Sequence, residues 1–375
     1  LTLDHVLEQF SKTPLKKMKP VIRTILRMSV FQILYMDSVP DRAVCNEAVR
    51  LTKRRGLSGL SGFVNGVLRS VARGQDKIQW PKRADDPTLY LSILYSMPLW
   101  IVEKWVETYG EAVCEEMLKA FQTERSVTVR PNPDKTDADH LMQILTEEGL
   151  SCRRLRDPSY AIAIDGVTDL VSIPAFSEGL FYIQDAASMH VAEYADPKEG
   201  NLVLDVCGAP GGKSIQIAQV LHGTGSVITR DLSDKKVGMI RENIKKMDLQ
   251  NMQAEVWDAK TPDPDYIKKA DIVIADLPCS GLGVTGRKAE IRYRISQEDI
   301  NALVSLQQEI LSVVCEYVKP GGTLIYSTCT VTPEENEGNV KWFSDSHSDF
   351  RPVMQKQYFP SEETDGFFLA KWEQR

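Results

Sequence analysis

Histidine is scarce in this chain, and so are the patterns that build metal sites. Five histidines in 375 residues (His5, His140, His190, His222 and His347) form no spaced set, so neither a histidine-held metal nor histidine-driven catalysis is expected. No two cysteines stand in a CxxC pair, and their total of 7 is odd. That argues against a zinc site and a disulfide framework, and it leads us to expect a reducing, cytoplasmic setting. No apolar run reaches the ~20 residues of a membrane span, and no signal-peptide pattern opens the chain. The first residue is Leu1 rather than Met, so the N-terminus is read as trimmed. Internal repeats and low-complexity tracts are missing as well. With 42% hydrophobic and 26% charged residues, the composition is ordinary for a globular protein, and the length suits two or three domains.

The charge is uneven. Residues 1–80 hold 14 Lys and Arg against 6 Asp and Glu, in a chain whose net charge is −7. A basic module joined to an acidic body points to a polyanionic partner for the first module.

Residues 20–72 read as helices: "PVIRTILRMSVFQILYMD", "RAVCNEAVRLTKRRG" and "GFVNGVLRSVA" place apolar residues at helical spacing. Phe31 and Tyr35 are read as core rather than as a base-stacking platform. The polar stretch from Asp76, with Trp80-Pro81 and Asp86-Pro87, reads as a linker. Residues 98–122 are again helical in pattern. "SVTVRPN", a helix at about 137–148, "SCRRLR" and "YAIAID" form a small α/β unit. From about residue 200, the strand-like runs "NLVLDV", "GSVITRD", "QAEVWD", "DIVIAD" and "GTLIYST" alternate with helical stretches, the pattern of a parallel doubly wound sheet.

Two stretches carry chemistry. In "LVLDVCGAPGGKS", residues 202–214, a strand ends at Asp205 and a turn follows, built from Cys207, Gly208, Ala209, Pro210, Gly211 and Gly212. Such a turn lets backbone approach a ligand, and the helix that starts near Gly212 offers free N–H groups. Lys213 lacks the GxxxxGK spacing of a phosphate loop but is counted, with Asp276 at the end of the fourth strand, among the cofactor-binding residues. Asp231 closes the next strand, where a carboxylate can accept both hydroxyls of a ribose, and Asp258 closes the third, within reach of an adenine amino group. Acids at the ends of successive strands around one glycine turn point to a nucleoside cofactor. In "ADLPCSGLG", residues 275–283, the fourth strand breaks into a loop that delivers Cys279 to the rim. The fifth, "GTLIYSTC", delivers Cys329. Neighbouring strands put both thiols in one crevice beside the cofactor, which suggests thiol chemistry. Cys45, Cys114, Cys152 and Cys315 are read as packing residues, the usual role of a free cysteine, and Cys207 as loop wall.

These residues resemble the Sun-type RNA cytosine-5 methyltransferases. "CGAPGGK", "ADLPCSGLG", "YSTCT" followed by "PEENE", "DGFFLAKW" and "GLFYIQDAASM" are all similar to that family's motifs. Gly208 and Leu277 stand where the family commonly has alanine, and Thr330 where it often has serine. "RMSVFQILYMD", "AVCNEAV" and "GFVNGVLR" resemble a NusB-type RNA-binding helical domain, with one or two helices expected upstream of Leu1. The combination is similar to the bacterial RsmB type, which modifies small-subunit ribosomal RNA. The resemblance implies an α/β Rossmann-like S-adenosylmethionine-dependent methyltransferase domain with a doubly wound sheet. An all-α NusB-like domain and a small α/β, RRM-like subdomain would precede it. The expected divisions are 1–75, a linker at 76–97, 98–175, and 176–375. A monomer without a metal is expected, with ribosomal RNA as partner.

The chemistry accounts for the thiols. Cytosine C5 is too weak a nucleophile to take a methyl group from a sulfonium directly, whereas a thiolate added at C6 makes the ring enamine-like. By resemblance Cys329 is the nucleophile, Cys279 assists release, and Asp276 hydrogen-bonds the ring near N3 or the exocyclic amine. Arg287, Lys288, Arg292 and Arg294 follow the motif and are candidates to hold phosphates. The alternatives are a transfer-RNA methyltransferase, a non-catalytic RNA-binding or assembly protein that keeps the fold, and, more distantly, a nicotinamide oxidoreductase. The basic N-terminal module argues against the first. The paired thiols argue against the other two.

Overall fold

The computed structural model describes residues 1–167 and 169–375, in two compact units, Leu1–Leu118 and Lys119–Arg375. None of the described helices is long and apolar enough to cross a membrane.

The first unit is helical. Thr2–Phe10, Pro20–Tyr35, Asp41–Arg54 and Ser61–Arg73 pack around Leu7, Ile22, Leu26, Val30, Val44, Ala48, Val64, Leu68 and Val71. The helix at Pro20–Tyr35 buries the stripe Ile22, Ile25, Leu26, Ser29, Val30 and Ile33. Phe31 and Tyr35 lie on its other face, 48% and 53% exposed, with their rings 5.4 Å apart. They are not core residues, because this helix is apolar on both faces and composition alone did not show which one packs. The stretch read as a linker holds a helix, Pro87–Tyr95. Asp86 caps it by accepting from Leu89 N (2.9 Å), and Pro87 stands at its first position, where a missing N–H costs nothing. The run 98–122 is two helices, Leu99–Tyr109 and Glu111–Ala120, parted at Gly110 by a φ of 81° that favours glycine.

The second unit carries two sheets. Strands β1 (Val127–Pro131), β2 (Ser151–Arg154), β3 (Ile162–Asp165) and β4 (Phe181–Ile183) form an antiparallel sheet in the order β2-β3-β1-β4, with the helix Ala138–Glu147 packed against it. β4 lies in "GLFYIQDAASM", which resembles the segment that precedes the family's catalytic domain. It pairs with β1, Val129 opposite Ile183. Arg130 of β1 is buried and donates to Gln184 Oε1 (3.0 Å) and Gln219 Oε1 (2.5 Å), tying the small sheet to the helix Gly212–Val220.

The larger sheet has seven strands: β5 (Leu202–Asp205), β6 (Ser226–Asp231), β7 (Met252–Val256), β8 (Ala270–Asp276), β9 (Val318–Thr328), β10 (Phe350–Tyr358) and β11 (Phe367–Gln374). Their order is β10-β11-β9-β8-β5-β6-β7. β5 to β9 run parallel, while β11 joins β9 antiparallel and continues into β10. The central strands are near-continuous apolar runs, as burial on both faces requires. Chain order reverses between β5 and β8. In such sheets ligands bind at the carboxyl ends of the strands where the order reverses.

Candidate active site

The turn after β5 is held by backbone. Val206 N donates to Ile274 O (3.0 Å), Gly208 N to Arg230 O (2.8 Å) and Gly211 N to Gly208 O (2.6 Å). A Cβ on Gly208 would collide with the Thr229 methyl and come within 2.7 Å of Asp205 Oδ2. Gly211 has a φ of 109°, and the helix Gly212–Val220 starts directly after it. The glycines are therefore geometric requirements of the turn. Asp205, at the end of β5, is fully buried and accepts from the Ser214 hydroxyl. Burial pushes its carboxyl up to about 7.

Asp231 ends β6 and is buried, with Lys236 Nζ 3.2 Å away. Asp258 stands two residues past the end of β7 and accepts from Lys260 N (3.0 Å). Asp276 ends β8. Its Oδ2 takes the Lys213 ammonium at 2.6 Å and its Oδ1 accepts from Ser327 Oγ at 2.7 Å. Lys213 thus spans from the glycine turn to the rim of β8, over the Phe367 ring at 5.3 Å.

Beyond Asp276, "LPCSGLG" folds back over the end of β9, and Cys279 Sγ meets Cys329 Sγ at 3.3 Å. The two thiols are shifted in opposite directions. Cys329 is held below the ordinary thiol value, first by the hydrogen bond from Cys279 and further by Lys213; burial, Asp276 and Asp365 oppose this. Cys279 is pushed well above it by the same hydrogen bond, by burial and by Glu335. Cys207 is driven up mainly by burial, with Asp205, Asp231 and Asp276 adding to the shift. Of the cysteines read as packing residues, Cys45, Cys114 and Cys315 are buried and Cys152 is half-buried.

The four basic residues after the motif separate. Lys288 and Arg294 are exposed. Arg287 is engaged with Asp185 (3.4 Å) and Asp365 (3.3 Å). Arg292 departs from the expectation of a phosphate contact. It is 4% exposed and donates to Thr285 O (3.0 Å), so it braces the loop from inside.

Several residues of the site carried no assigned role in the sequence. Arg125 pairs with Asp365 and with Asp185 (3.4 Å), forming a cluster with Arg287 beside Cys329. Burial and Asp365 push Asp185 up to about 6. Glu335, Ser280, Thr330, Thr332 and Gln307 form a buried polar network under the thiol loops. Asp185, Asp365 and Glu335 lie in "QDAASM", "DGFF" and "PEENE", so the resemblance pointed at their stretches. Nothing in the sequence pointed at Arg125.

Comparison with known proteins agrees with this geometry. Residues 192–373 match the family described as 16S rRNA methyltransferase RsmB/F, residues 1–73 match the NusB family, and residues 97–170 match the RsmF/B-like methyltransferase ferredoxin-like domain. The probable ribosomal RNA small subunit methyltransferase B of Bacillus subtilis is 36% identical over 355 residues, covering 94% of this chain and 78% of that protein. The chain belongs to the RsmB/F methyltransferase family. The corresponding probable methyltransferase B of Synechocystis is 32% identical, over 98% of this chain and 86% of its own length. The crystal structure of a methyltransferase homolog protein from Pyrococcus horikoshii superimposes with a TM-score of 0.68 at 25% identity, covering 77% of this chain and 99% of that one. The three matched stretches of this RsmB/F chain fall on its helical module, on the part that holds the small antiparallel sheet, and on the doubly wound sheet.

Proposed function

We propose that this chain transfers a methyl group from S-adenosylmethionine to C5 of a cytosine in small-subunit ribosomal RNA, through a covalent bond between Cys329 and C6. The observation that carries the reading is the contact of two unlike thiols, 3.3 Å apart, at the rim where Asp276 and Lys213 also converge. The relatives named as ribosomal RNA small subunit methyltransferases support the substrate class.

The donor set at the strand ends fits this cofactor. The turn Cys207–Gly212 offers bare backbone, and we read Asp231 as acceptor for the ribose hydroxyls and Asp258 as acceptor for the adenine amine. When bound there, S-adenosylmethionine supplies an electrophilic methyl carbon. The chain's own groups do the rest. Cys329, as thiolate, adds to C6, and the C5–C6 electron pair is pushed onto C5 and the ring. Asp276, held by Lys213 and Ser327, accepts from the exocyclic amine and fixes the ring as charge builds on it. C5 then takes the methyl group. Transfer of the C5 proton to a water molecule restores the double bond and expels Cys329 as thiolate, and the Cys279 S–H, 3.3 Å away, donates a hydrogen bond to the departing sulfur. Lys288 and Arg294, exposed in the segment that follows the Cys279 loop, are our candidates for backbone phosphates, as separately are the basic residues of 1–75.

The two thiols are separable by experiment. Cys329→Ser is expected to give neither methylation nor an RNA adduct, because a serine hydroxyl is a far poorer nucleophile than a thiolate. Cys279→Ala is expected to methylate once and stall, leaving RNA bound through Cys329 on a denaturing gel. An adduct only in the Cys329 variant would exchange the roles. Full activity in both variants would end the reading.

A further inference from the structure

Glu335 is fully buried, and among the described residues no cation pairs with it. Its Oε1 accepts from Ser280 N (2.8 Å) and Gln307 Nε2 (3.1 Å), and its Oε2 accepts from Ser280 Oγ (2.5 Å). Gln307 Nε2 also donates to Pro278 O at 2.8 Å. The residues on both sides of Cys279 are therefore clamped by one bonded pair, Glu335 and Gln307. The same network reaches the other thiol loop, where Ser280 Oγ meets Thr330 Oγ1 at 2.8 Å, one residue past Cys329. A buried carboxylate that only accepts hydrogen bonds and has no counter-ion is a costly thing to keep in a core if clamping is its whole role. A neutral amide or a hydroxyl could clamp at lower cost.

We propose that Glu335 is the positioning residue that decides which of the two thiols is the nucleophile. Burial raises its carboxyl, while the hydrogen bonds from Ser280 and Gln307 oppose the rise and favour the charged form; bonded to the Ser280 amide and hydroxyl directly after Cys279, that charge adds to burial and to Cys329 itself in keeping the proton on Cys279. That proton is then donated across 3.3 Å to Cys329, which becomes the thiolate. The groups around the pair fit this division. Cys279 faces Cys329 and Glu335, while Cys329 faces Cys279, Lys213, Asp276 and Asp365, of which only Lys213 is a cation. With Asp276 and Asp365 both working against a thiolate at position 329, Lys213 alone does not settle the choice. Glu335 tips it from the other side. The inference rests on the proposed thiol chemistry, but its test does not depend on methylation.

The test is alkylation of the folded protein by iodoacetamide over a range of pH, with modified cysteines located by peptide mass mapping. In the wild type, Cys329 is expected to react first at neutral pH. In Glu335→Gln, which keeps the shape and removes the charge, Cys279 is expected to gain reactivity several-fold relative to Cys329, and the pH midpoint of Cys329 alkylation is expected to rise. Glu335→Asp should restore the wild-type order. Ser280→Ala keeps the charge and removes part of the clamp, so it should keep Cys329 first even where stability falls. An unchanged order in Glu335→Gln would overturn the proposal. So would loss of the order in Ser280→Ala, which would make the clamp, not the charge, the cause; that outcome can be read even if Glu335→Gln does not fold. If the wild type orders its thiols this way but methylates no RNA, the assigned reaction fails and the role of Glu335 stands.

Discussion

Asp205 offers a sharp test of the electrostatics under the glycine turn. Its side chain is fully buried, its Oδ1 has no hydrogen-bond partner, and burial drives its carboxyl from 3.8 up to about 7. Asp276 adds to the rise, while Ser214, Lys213 and the Cys207 amide oppose it. Because the folded value lies above the unfolded one, the folded chain holds a proton that the unfolded chain releases across this window. The stability it contributes is full below about pH 4 and is lost as pH rises to about 7. At about 1.4 kcal/mol per unit the total is on the order of 4 kcal/mol, of which about half lies above pH ~5.5. Asp205→Asn keeps the shape and removes the titration. Urea unfolding of both proteins at about pH 5.5 and about pH 8.5 cancels the titrating groups that do not interact with Asp205. The variant is expected to gain on the wild type by on the order of 2 kcal/mol at the higher pH. An equal difference at both pH values would refute the reasoning and show Asp205 ionised throughout.

Other residues allow equally direct tests. Asp231→Ala is expected to weaken S-adenosylmethionine binding by about 1–3 kcal/mol, as ribose hydroxyls lose a charged acceptor; calorimetry on the folded variant checks this. Gly283→Ala would drive a Cβ into Gly366 O and to 2.8 Å from Cys329 O, in a loop where Gly283 N donates to Cys329 O (3.1 Å). It is expected to cost about 1–3 kcal/mol of stability and to lower kcat more than it raises KM for the cofactor, as steady-state kinetics beside thermal melts would show.

The strands that build the crevice were legible because each is a short apolar run that stops at an acid or a turn. "LVLD", "SVITRD" and "ADIVIAD" end within the sequence where they end in the structure. The edge strand β10 was not legible. "FRPVMQKQY" is mostly polar and holds Pro352, and it is a strand only because β11 supplies its partner. The helix Pro87–Tyr95 was missed for a different reason. Asp86-Pro87 was taken as a break in the chain, yet the same two residues, as cap and first position, begin a helix. In the site, residue types that act through the backbone turn or the strand end could be placed from sequence. Those that act through burial could not. Arg292 reads as a surface cation until the fold closes over it, and Glu335 reads as one acid in an acidic run until its neighbours turn out to be Ser280 and Gln307.

Cys279 and Cys329 lie 50 residues apart in the sequence, and three separate devices bring them to one point. Strand order sets β8 beside β9 in parallel, with Asp276 opposite Ser327, so both loops leave the sheet at the same rim. Gly283 then lets the first loop lie against the second, with Gly366 on its other side, at a distance no side chain would allow. Glu335 and Gln307 finally fix the peptide on either side of Cys279. Adjacency comes from topology, closeness from a missing Cβ, and orientation from buried hydrogen bonds. A scaffold that used these cysteines only for packing would need the first of these devices and neither of the others. The presence of all three is a physical argument that the contact between the sulfurs is what this part of the chain is built to hold.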